Sequence, residues 1–239
     1  MARMSRSAKK RGLLRTARLI LRLPFRLGAV IRSYQGNAFD RKFGVDTLSQ
    51  EDLSVPEPAL GNSYVASDPE VVKSAIGGLG LQFAEFVFVD LGSGKGRVLL
   101  IAAGFPFKRV VGVEWSAELN RVAEQNIRNY CGPRRCAVIK SLHMDARAFP
   151  IPSEPSVFYL YAPFKAQIMG EVVNNIGKSL AGHPREVFIL YVNPRQAQIF
   201  EGAEFLTRIA PKRGLDPQTT IAVYHTSPTW LHTHRSPLT

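Results

Sequence analysis

The stretch from Phe86 to Ala103 constrains the fold more than any other part of the chain. Phe86-Val-Phe-Val is a continuous apolar run with the β-branched and aromatic content of a buried strand. Asp90 follows, and then a turn with glycines at positions 92, 94 and 96. Residues 98–103 are apolar and rich in alanine and leucine, which suits the first turns of a helix. Strand, glycine turn and helix form the context in which a glycine-rich motif binds a ligand.

The spacing of the glycines, Gly92-x-Gly94-x-Gly96, excludes two common phosphate-binding motifs. A dinucleotide fingerprint needs its third glycine at position 97, which is Arg97, and the Gly-Lys-Ser/Thr ending of a P-loop is absent. Without a Cβ, the glycines allow the backbone to approach a ligand closely. Asp90 at the strand end suits a cationic or hydroxyl-bearing ligand better than a pyrophosphate.

A second unit repeats this pattern. Arg109-Val-Val-Gly-Val-Glu114 is predicted to be a strand that ends in an acid. Glu114 lies 22 residues after Gly92, about where an acid accepts ribose hydroxyl hydrogen bonds in a nucleotide-binding βαβ unit. The two acids and three glycines together favour a nucleoside-containing cofactor.

Asp-Leu-Gly-Ser-Gly-Lys-Gly followed by Val-Val-Gly-Val-Glu resembles the class I S-adenosylmethionine-dependent methyltransferases, most of all the branch of non-SET histone-lysine methyltransferases and small bacterial relatives. As a fold pattern the resemblance covers residues 60–226. It implies that S-adenosyl-L-methionine is the cofactor. Residues 90–96, with Asp90, Gly92, Ser93, Gly94 and Gly96, are then expected to hold its methionine portion, and Glu114 its ribose.

The resemblance extends to three further cofactor-binding candidates. Tyr64 is the candidate for an aromatic side chain that lines the cofactor pocket, with simple packing as the alternative. Asp145 lies where an acid of this class often meets the adenine amino group. Trp115 either flanks the adenine or belongs to the core.

The remaining pattern predicts an α/β fold: a doubly wound, Rossmann-like, seven-stranded sheet, mostly parallel with an antiparallel last strand. Later strands are expected at residues 137–139, 156–161 and 186–192, with a terminal antiparallel pair at 204–210 and 219–224. Helices are expected after Asp68-Pro69 and after Ser116, both good N-terminal signals. In such sheets the ligand site lies outside the carboxyl ends of the strands.

The segment after the fourth strand is Ala162-Pro163-Phe164, which we expect to line the acceptor channel. Amino-methyltransferases that resemble this chain carry Asn or Asp at the first of these positions, where Ala162 has no side-chain acceptor. Tyr161, Tyr159 or Asn193 is the candidate for supplying polarity instead. Three functions therefore stay open: a methyltransferase acting on a protein side chain, a cofactor-binding protein without catalysis, and a nucleic-acid methyltransferase.

Charge is concentrated at the N-terminus. Residues 1–33 hold ten Lys/Arg and no acid, which leaves 21 Lys/Arg against 19 Asp/Glu in the rest of the chain. Four interpretations of this basic, partly amphipathic arm remain open: a helix on the protein's own body or in solvent, a helix on an anionic membrane surface, a handle for nucleic acid, and a targeting presequence. Arginines interrupt every turn, so the arm is not expected to span a membrane.

The two cysteines, Cys131 and Cys136, have neither metal-binding nor redox spacing, which favours a reducing, cytoplasmic location and predicts no metal. The domain organisation expected is an arm (1–33), a connector (34–60), a methyltransferase domain (61–226) and a loose tail (227–239). Within the connector, Phe39-Asp40-Arg41-Lys42-Phe43-Gly-Val-Asp-Thr47 resembles a segment of the bacterial relatives. It is interpreted either as a structural strap, with an Asp40–Arg41 pair on the surface, or as a lid over the site.

Overall fold

A computed structural model of the protein describes residues 38–48, 64–209 and 220–234. All four interpretations of the N-terminal arm concern residues outside these ranges, as does most of the connector.

Seven strands of the described chain form one sheet in the order β3-β2-β1-β4-β5-β7-β6. The strands β1 to β5 pair in parallel, and β7 runs antiparallel to both β5 and β6. The predicted doubly wound sheet with an antiparallel last strand is thereby confirmed. The strands are β1 Val87–Leu91, β2 Arg109–Glu114, β3 Ile139–His143, β4 Ser156–Tyr161, β5 Val187–Val192, β6 Leu206–Ile209 and β7 Ile221–Thr226.

The described residues contain seven α-helices, four of which connect successive strands. They are α1 (residues 38–43), α2 Pro69–Gly78, α3 Arg97–Ala102, α4 Ala117–Asn129, α5 Ala166–Gly182, α6 Ala197–Glu201 and α7 Pro228–His234. Asp68 caps α2 by accepting hydrogen bonds from the amides of Glu70 and Val71, and Ser116 caps α4 through the amide of Leu119. Both predicted N-caps are therefore confirmed.

The sheet separates two hydrophobic cores, because successive side chains of a strand point to opposite faces. Phe88 enters the core that α2 and α3 cover. Its neighbours Val87 and Val89 enter the core that α5 and α6 cover. Helices on both faces leave the carboxyl edge of the parallel strands as the place where polar side chains can gather.

Two local predictions were wrong in their limits. The third strand was expected at residues 137–139 and instead spans Ile139–His143, because register with β2 decides its position, from Val110 opposite Ile139 to Glu114 opposite His143. Seven residues of the predicted loose tail form α7, in which Leu231 is buried and Trp230 packs edge-on against Phe205. Long-range packing places both segments.

Candidate functional site

The glycine turn joins β1 to α3 at the carboxyl edge of the sheet. Gly92, Gly94 and Gly96 all have positive φ angles, of 84°, 53° and 82°, in the left-handed region that side chains with a Cβ rarely adopt. The amides of Gly92 and Ser93 donate to the carbonyl of Val113 in β2, at 2.8 and 3.1 Å. The strand order reverses between β1 and β4, so the turn opens at the position where such sheets bind ligands.

Asp90 lies at the base of this turn and is 2% exposed. Its Oδ2 atom and the hydroxyl of Ser93 are buried and have no hydrogen-bond partner among the described residues. Burial raises the pKa of Asp90 well above its usual value, and the nearby carboxylate of Glu114 raises it further. Buried polar atoms normally have partners, so this pair of atoms fits a cationic or hydrogen-bond-donating ligand.

Glu114 ends β2 and is 5% exposed. Its Oε2 accepts a hydrogen bond from the amide of Gly94 at 2.8 Å, and its Oε1 accepts one from the amide of Ser116 at 2.9 Å. Burial raises the pKa of Glu114, and the amide donors partly oppose that rise. Because each carboxylate oxygen can accept more than one hydrogen bond, Glu114 can shape the turn and still accept a ligand hydroxyl.

Tyr64 covers the turn from outside. A Cβ placed on Gly94 would lie 2.1 Å from Cε2 of the Tyr64 ring, so the ring and the turn backbone are in direct contact. The Tyr64 hydroxyl donates to the carbonyl of Thr47 at 2.7 Å, and burial raises its pKa. Packing against the turn is observed, and contact with a cofactor stays a prediction.

The two adenine-side candidates differ in their surroundings. Trp115 is 53% exposed, which rules out its alternative role in the core. Asp145 caps a short 3₁₀ helix, accepts from the Arg147 amide at 2.8 Å and pairs with the Arg147 guanidinium at 2.6 Å. The hydrogen bonds from Arg147 lower the pKa of Asp145. Adenine recognition by either residue stays a prediction, and Asp145 already has a strong partner.

The neighbouring strands β4 and β5 end at the same level of the sheet. Tyr161 pairs with Val192, so the next residues, Ala162 and Asn193, follow side by side in the register. Both have positive φ, 40° and 52°, although neither is a glycine. Backbone strain of this kind clusters at functional sites. The predicted catalytic candidates Tyr161, which is half-buried, and Asn193, which is exposed, thus lie at one edge.

The acceptor segment also contacts the glycine turn. A Cβ on Gly92 would lie 2.5 Å from the Cβ of Pro163, so Pro163 packs directly on the turn. Ala162 and Phe164 beside it are buried. Residues predicted for cofactor binding and for the acceptor channel are therefore in van der Waals contact, so the two predicted sites are adjacent.

Sequence reasoning missed a buried polar network behind the turn. Asp40 does not pair with Arg41 on the surface, as was expected; it is 8% exposed and pairs with Arg97 at 3.3 Å. Thr47, fully buried, lies between the two. The available signal was Arg97 itself, because a charged residue that opens an apolar helix next to a glycine turn needs a buried partner.

Neither a metal-binding cluster nor a membrane-spanning helix is found among the described residues. These residues contain no group of three or more His, Cys, Asp or Glu side chains placed to hold a metal ion. None of their helices combines the length and apolar character needed to cross a membrane.

The seven-stranded sheet, the acid-based glycine turn after β1 and the acid that ends β2 are the features of the class I S-adenosylmethionine-dependent methyltransferase fold. Residues 52–139 match the family profile described as "Histone methylation protein DOT1". The match covers the turn and Glu114, and it confirms the resemblance to the histone-methylating branch of this class.

Solved structures similar to this chain include three methyltransferases. One is ribosomal protein L11 methylase from Lactobacillus delbrueckii subsp. bulgaricus, with 15% identity and a TM-score of 0.48 over 71% of this chain and 82% of that one. Another is precorrin-6y C5,15-methyltransferase from Geobacter metallireducens, with 13% identity and a TM-score of 0.48 over 79% and 96%. The third is an RNA methyltransferase from Salinibacter ruber in complex with S-adenosyl-L-homocysteine, with 21% identity and a TM-score of 0.43 over 68% and 92%. No curated protein matches the sequence.

Proposed function

We propose that this protein methylates a side chain of a protein substrate, with S-adenosylmethionine bound at the glycine turn. The observation that carries the proposal is Asp90 Oδ2, a buried carboxylate oxygen at the base of that turn that has no hydrogen-bond partner in the described part of the chain. The match of residues 52–139 to a histone methylation profile supports a protein as the substrate.

The residues of the turn fit the chemistry of this cofactor. S-adenosylmethionine carries an ammonium and a sulfonium, and it supplies an activated methyl group when bound. The buried oxygens of Asp90 and Ser93 suit the positively charged methionine portion, and Glu114 suits a ribose hydroxyl. A positive ligand would stabilise the ionised form of both acids, whose pKa values are raised by burial.

The segment after β4, residues 162–164, is suited to aligning the acceptor with the methyl donor and offers no side chain for proton transfer. Methyl transfer from a sulfonium needs the acceptor in line with the donor and water excluded. Pro163 and Phe164 supply an apolar wall beside the turn. Because Ala162 offers no side-chain acceptor, we assign no general base; an acceptor amine would have to lose its proton through desolvation at this wall.

The test is transfer of a tritiated methyl group from S-adenosylmethionine to components of a cell extract by the purified full-length protein. We expect label in protease-sensitive, nuclease-resistant material, and mass spectrometry of that material identifies the side chain. The matched control is Asp90→Asn, which keeps the size of the side chain, removes its charge and should abolish labelling.

Other outcomes would point to the competing functions. Label in RNA or DNA would contradict a protein substrate and favour a nucleic-acid methyltransferase. Calorimetric binding of S-adenosylmethionine without transfer to any extract component would favour a cofactor-binding protein without catalysis. Absence of binding would contradict the assignment of the site itself.

A further inference from the structure

Residues 38–48, which we call the strap, lie against the outer side of the glycine turn. The chain leaves α1 through Gly44, whose φ is +67°, and the carbonyl of Phe43 accepts a hydrogen bond from the amide of Cys131. The rest of the strap then reaches the turn through polar contacts. Because buried polar groups need hydrogen-bond partners, these contacts fix the strap in one position relative to the turn.

Thr47 is the centre of these contacts and is fully buried. Its amide donates to Asp40 Oδ2 at 2.7 Å, and its hydroxyl donates to Asp40 Oδ1 at 2.5 Å. The same hydroxyl accepts from Arg97 Nε at 2.6 Å, and the Thr47 carbonyl accepts from the Tyr64 hydroxyl at 2.7 Å. One residue thus joins the strap, the first residue of α3 and the ring that covers the turn.

A second set of bonds fixes the strap to the turn itself. The side chain of Asn126 accepts from the amide of Asp46 at 2.9 Å and donates to the Asp46 carbonyl at 2.8 Å. It also donates to the carbonyl of Lys95, the residue between Gly94 and Gly96, at 2.9 Å. Lys95 Nζ lies 3.4 Å from Asp46 Oδ2. Strap and turn therefore share Asn126 as a partner, and the strap also contacts Lys95 of the turn directly.

A chain of contacts connects Thr47 to Glu114, the predicted ribose-binding residue. Thr47 holds the Tyr64 hydroxyl, the Tyr64 ring lies on Gly94, and the Gly94 amide donates to Glu114. We infer that Thr47 is a positioning residue for cofactor binding, which sets the turn and Glu114 in their binding geometry through Tyr64. This inference rests on the proposed function, because it assumes that the turn binds S-adenosylmethionine.

The strap also makes apolar contacts, and these serve as a control for the polar contacts of Thr47. Phe43 packs edge-on against Phe39 at 4.9 Å between ring centroids and also against Tyr130 at 5.2 Å. These rings hold the strap against Tyr130, the residue that follows α4. If Thr47 acts by positioning, loss of its hydroxyl must weaken cofactor binding, whereas loss of the Phe43 ring must lower stability alone.

The experiment compares Thr47→Val, which keeps the shape of the side chain and removes the hydroxyl, with Thr47→Ser, which keeps the hydroxyl. The full-length proteins are titrated calorimetrically with S-adenosyl-L-homocysteine, well below their melting temperatures. We expect Kd to rise about tenfold in Thr47→Val, because a buried guanidinium donor and a carboxylate lose their shared partner. Thr47→Ser should bind within about twofold of the unmodified protein. Phe43→Leu should melt at a lower temperature with unchanged Kd.

A second variant covers the case in which Thr47→Val does not fold. Tyr64→Phe keeps the ring on Gly94 and removes only the hydroxyl that donates to Thr47, and it should raise Kd several-fold. If the unmodified protein binds and both variants bind equally well, the positioning role is wrong and the proposed function stands. If the unmodified protein does not bind S-adenosyl-L-homocysteine, the positioning role of Thr47 and the proposed function are both wrong.

Discussion

The ring of Tyr64 occupies the space that a side chain on Gly94 would need. The Cβ position of Gly94 lies 2.1 Å from Tyr64 Cε2 and 2.4 Å from Cδ2, far inside van der Waals contact. A glycine is therefore required at position 94 for two reasons: its φ is +53°, and the Tyr64 ring fills the space of a side chain. Because of this contact, adding a single methyl group at position 94 should disturb the turn.

Gly94→Ala is expected to cost more than backbone strain. The left-handed conformation alone costs an alanine about 1–2 kcal/mol, and the collision displaces Tyr64 in addition. Gly80→Ala is the matched control, because Gly80 also has a positive φ, +61°, but no heavy atom within 4 Å of the added Cβ. Denaturant unfolding should show the larger loss in Gly94→Ala, and calorimetry should show weakened binding of S-adenosylhomocysteine in that variant alone.

A double-mutant cycle separates strain from collision in this pair. In a Tyr64→Ala background the ring is gone, so the cost of Gly94→Ala should fall toward that of Gly80→Ala. Equal costs for Gly94→Ala with and without the ring would show that the contact has no energetic consequence.

Asp90→Asn is expected to stabilise the ligand-free protein. The folded-state pKa of Asp90 is raised above its unfolded value by burial and by Glu114, so the folded state binds more protons between those two pKa values. Stability is therefore lost as the pH rises through this interval, at about 1.4 kcal/mol for each unit of pKa. Urea unfolding should show the variant to be more stable at pH 7.5, with a smaller difference at acid pH. A less stable variant at pH 7.5 would contradict this reading of Asp90.

Cofactor binding should release protons. A positively charged ligand favours the ionised forms of Asp90 and Glu114, whose pKa values are raised in the free protein. The affinity for S-adenosylmethionine should then increase as the pH rises through those pKa values, and calorimetry in buffers of different ionisation enthalpy should detect the released protons. Asp90→Asn should reduce the release. Proton uptake on binding would rule out this linkage.

Local signals in the sequence were enough to predict the glycine turn and the first turns of two helices. Gly92, Gly94 and Gly96 follow a buried strand, and Asp68 and Ser116 each precede a helix, so the residues that fix these structures lie within a few positions of each other. The predicted doubly wound, mostly parallel sheet followed from the βαβ pattern, since consecutive parallel strands joined by helices allow few arrangements.

Interactions between distant residues were not predictable in this way. Asp40 and Arg97 are 57 positions apart, and no periodicity connects them, so the sequence instead suggested the neighbouring Arg41. The third strand shifted for the same reason, because its limits depend on pairing with β2. The strained φ angles of Ala162 and Asn193 depend on how two strand ends meet, and Ala162 carries no local signal for such a conformation.

Glu114→Gln tests whether this acid shapes the turn as well as binding a ligand. The amide nitrogen of a glutamine cannot accept a hydrogen bond, so either Gly94 or Ser116 loses the partner of its buried amide. The expected loss of stability is about 1–3 kcal/mol. Asp145→Asn is the control, because its partly exposed pair with Arg147 should contribute less than about 1 kcal/mol. Thermal unfolding of both variants provides the comparison, and equal losses of stability would show that Glu114 does not hold the turn in place.

The left-handed conformation of Ala162 leads to a prediction about the acceptor edge. A valine there would place a β-branched side chain at a φ of 40° beside the packed Pro163 and Phe164, and strain at such a position costs about 1–3 kcal/mol. Ala162→Asn should be tolerated better, because asparagine adopts this region more readily than other residues with a Cβ. It also introduces the side-chain acceptor that Ala162 lacks. We expect Ala162→Val to lower the melting temperature more than Ala162→Asn, with cofactor affinity retained in the asparagine variant. If Ala162→Asn also increases methyl transfer in the extract assay, a missing hydrogen-bond acceptor limits the reaction of the natural protein; an unchanged rate would show that alignment alone is sufficient.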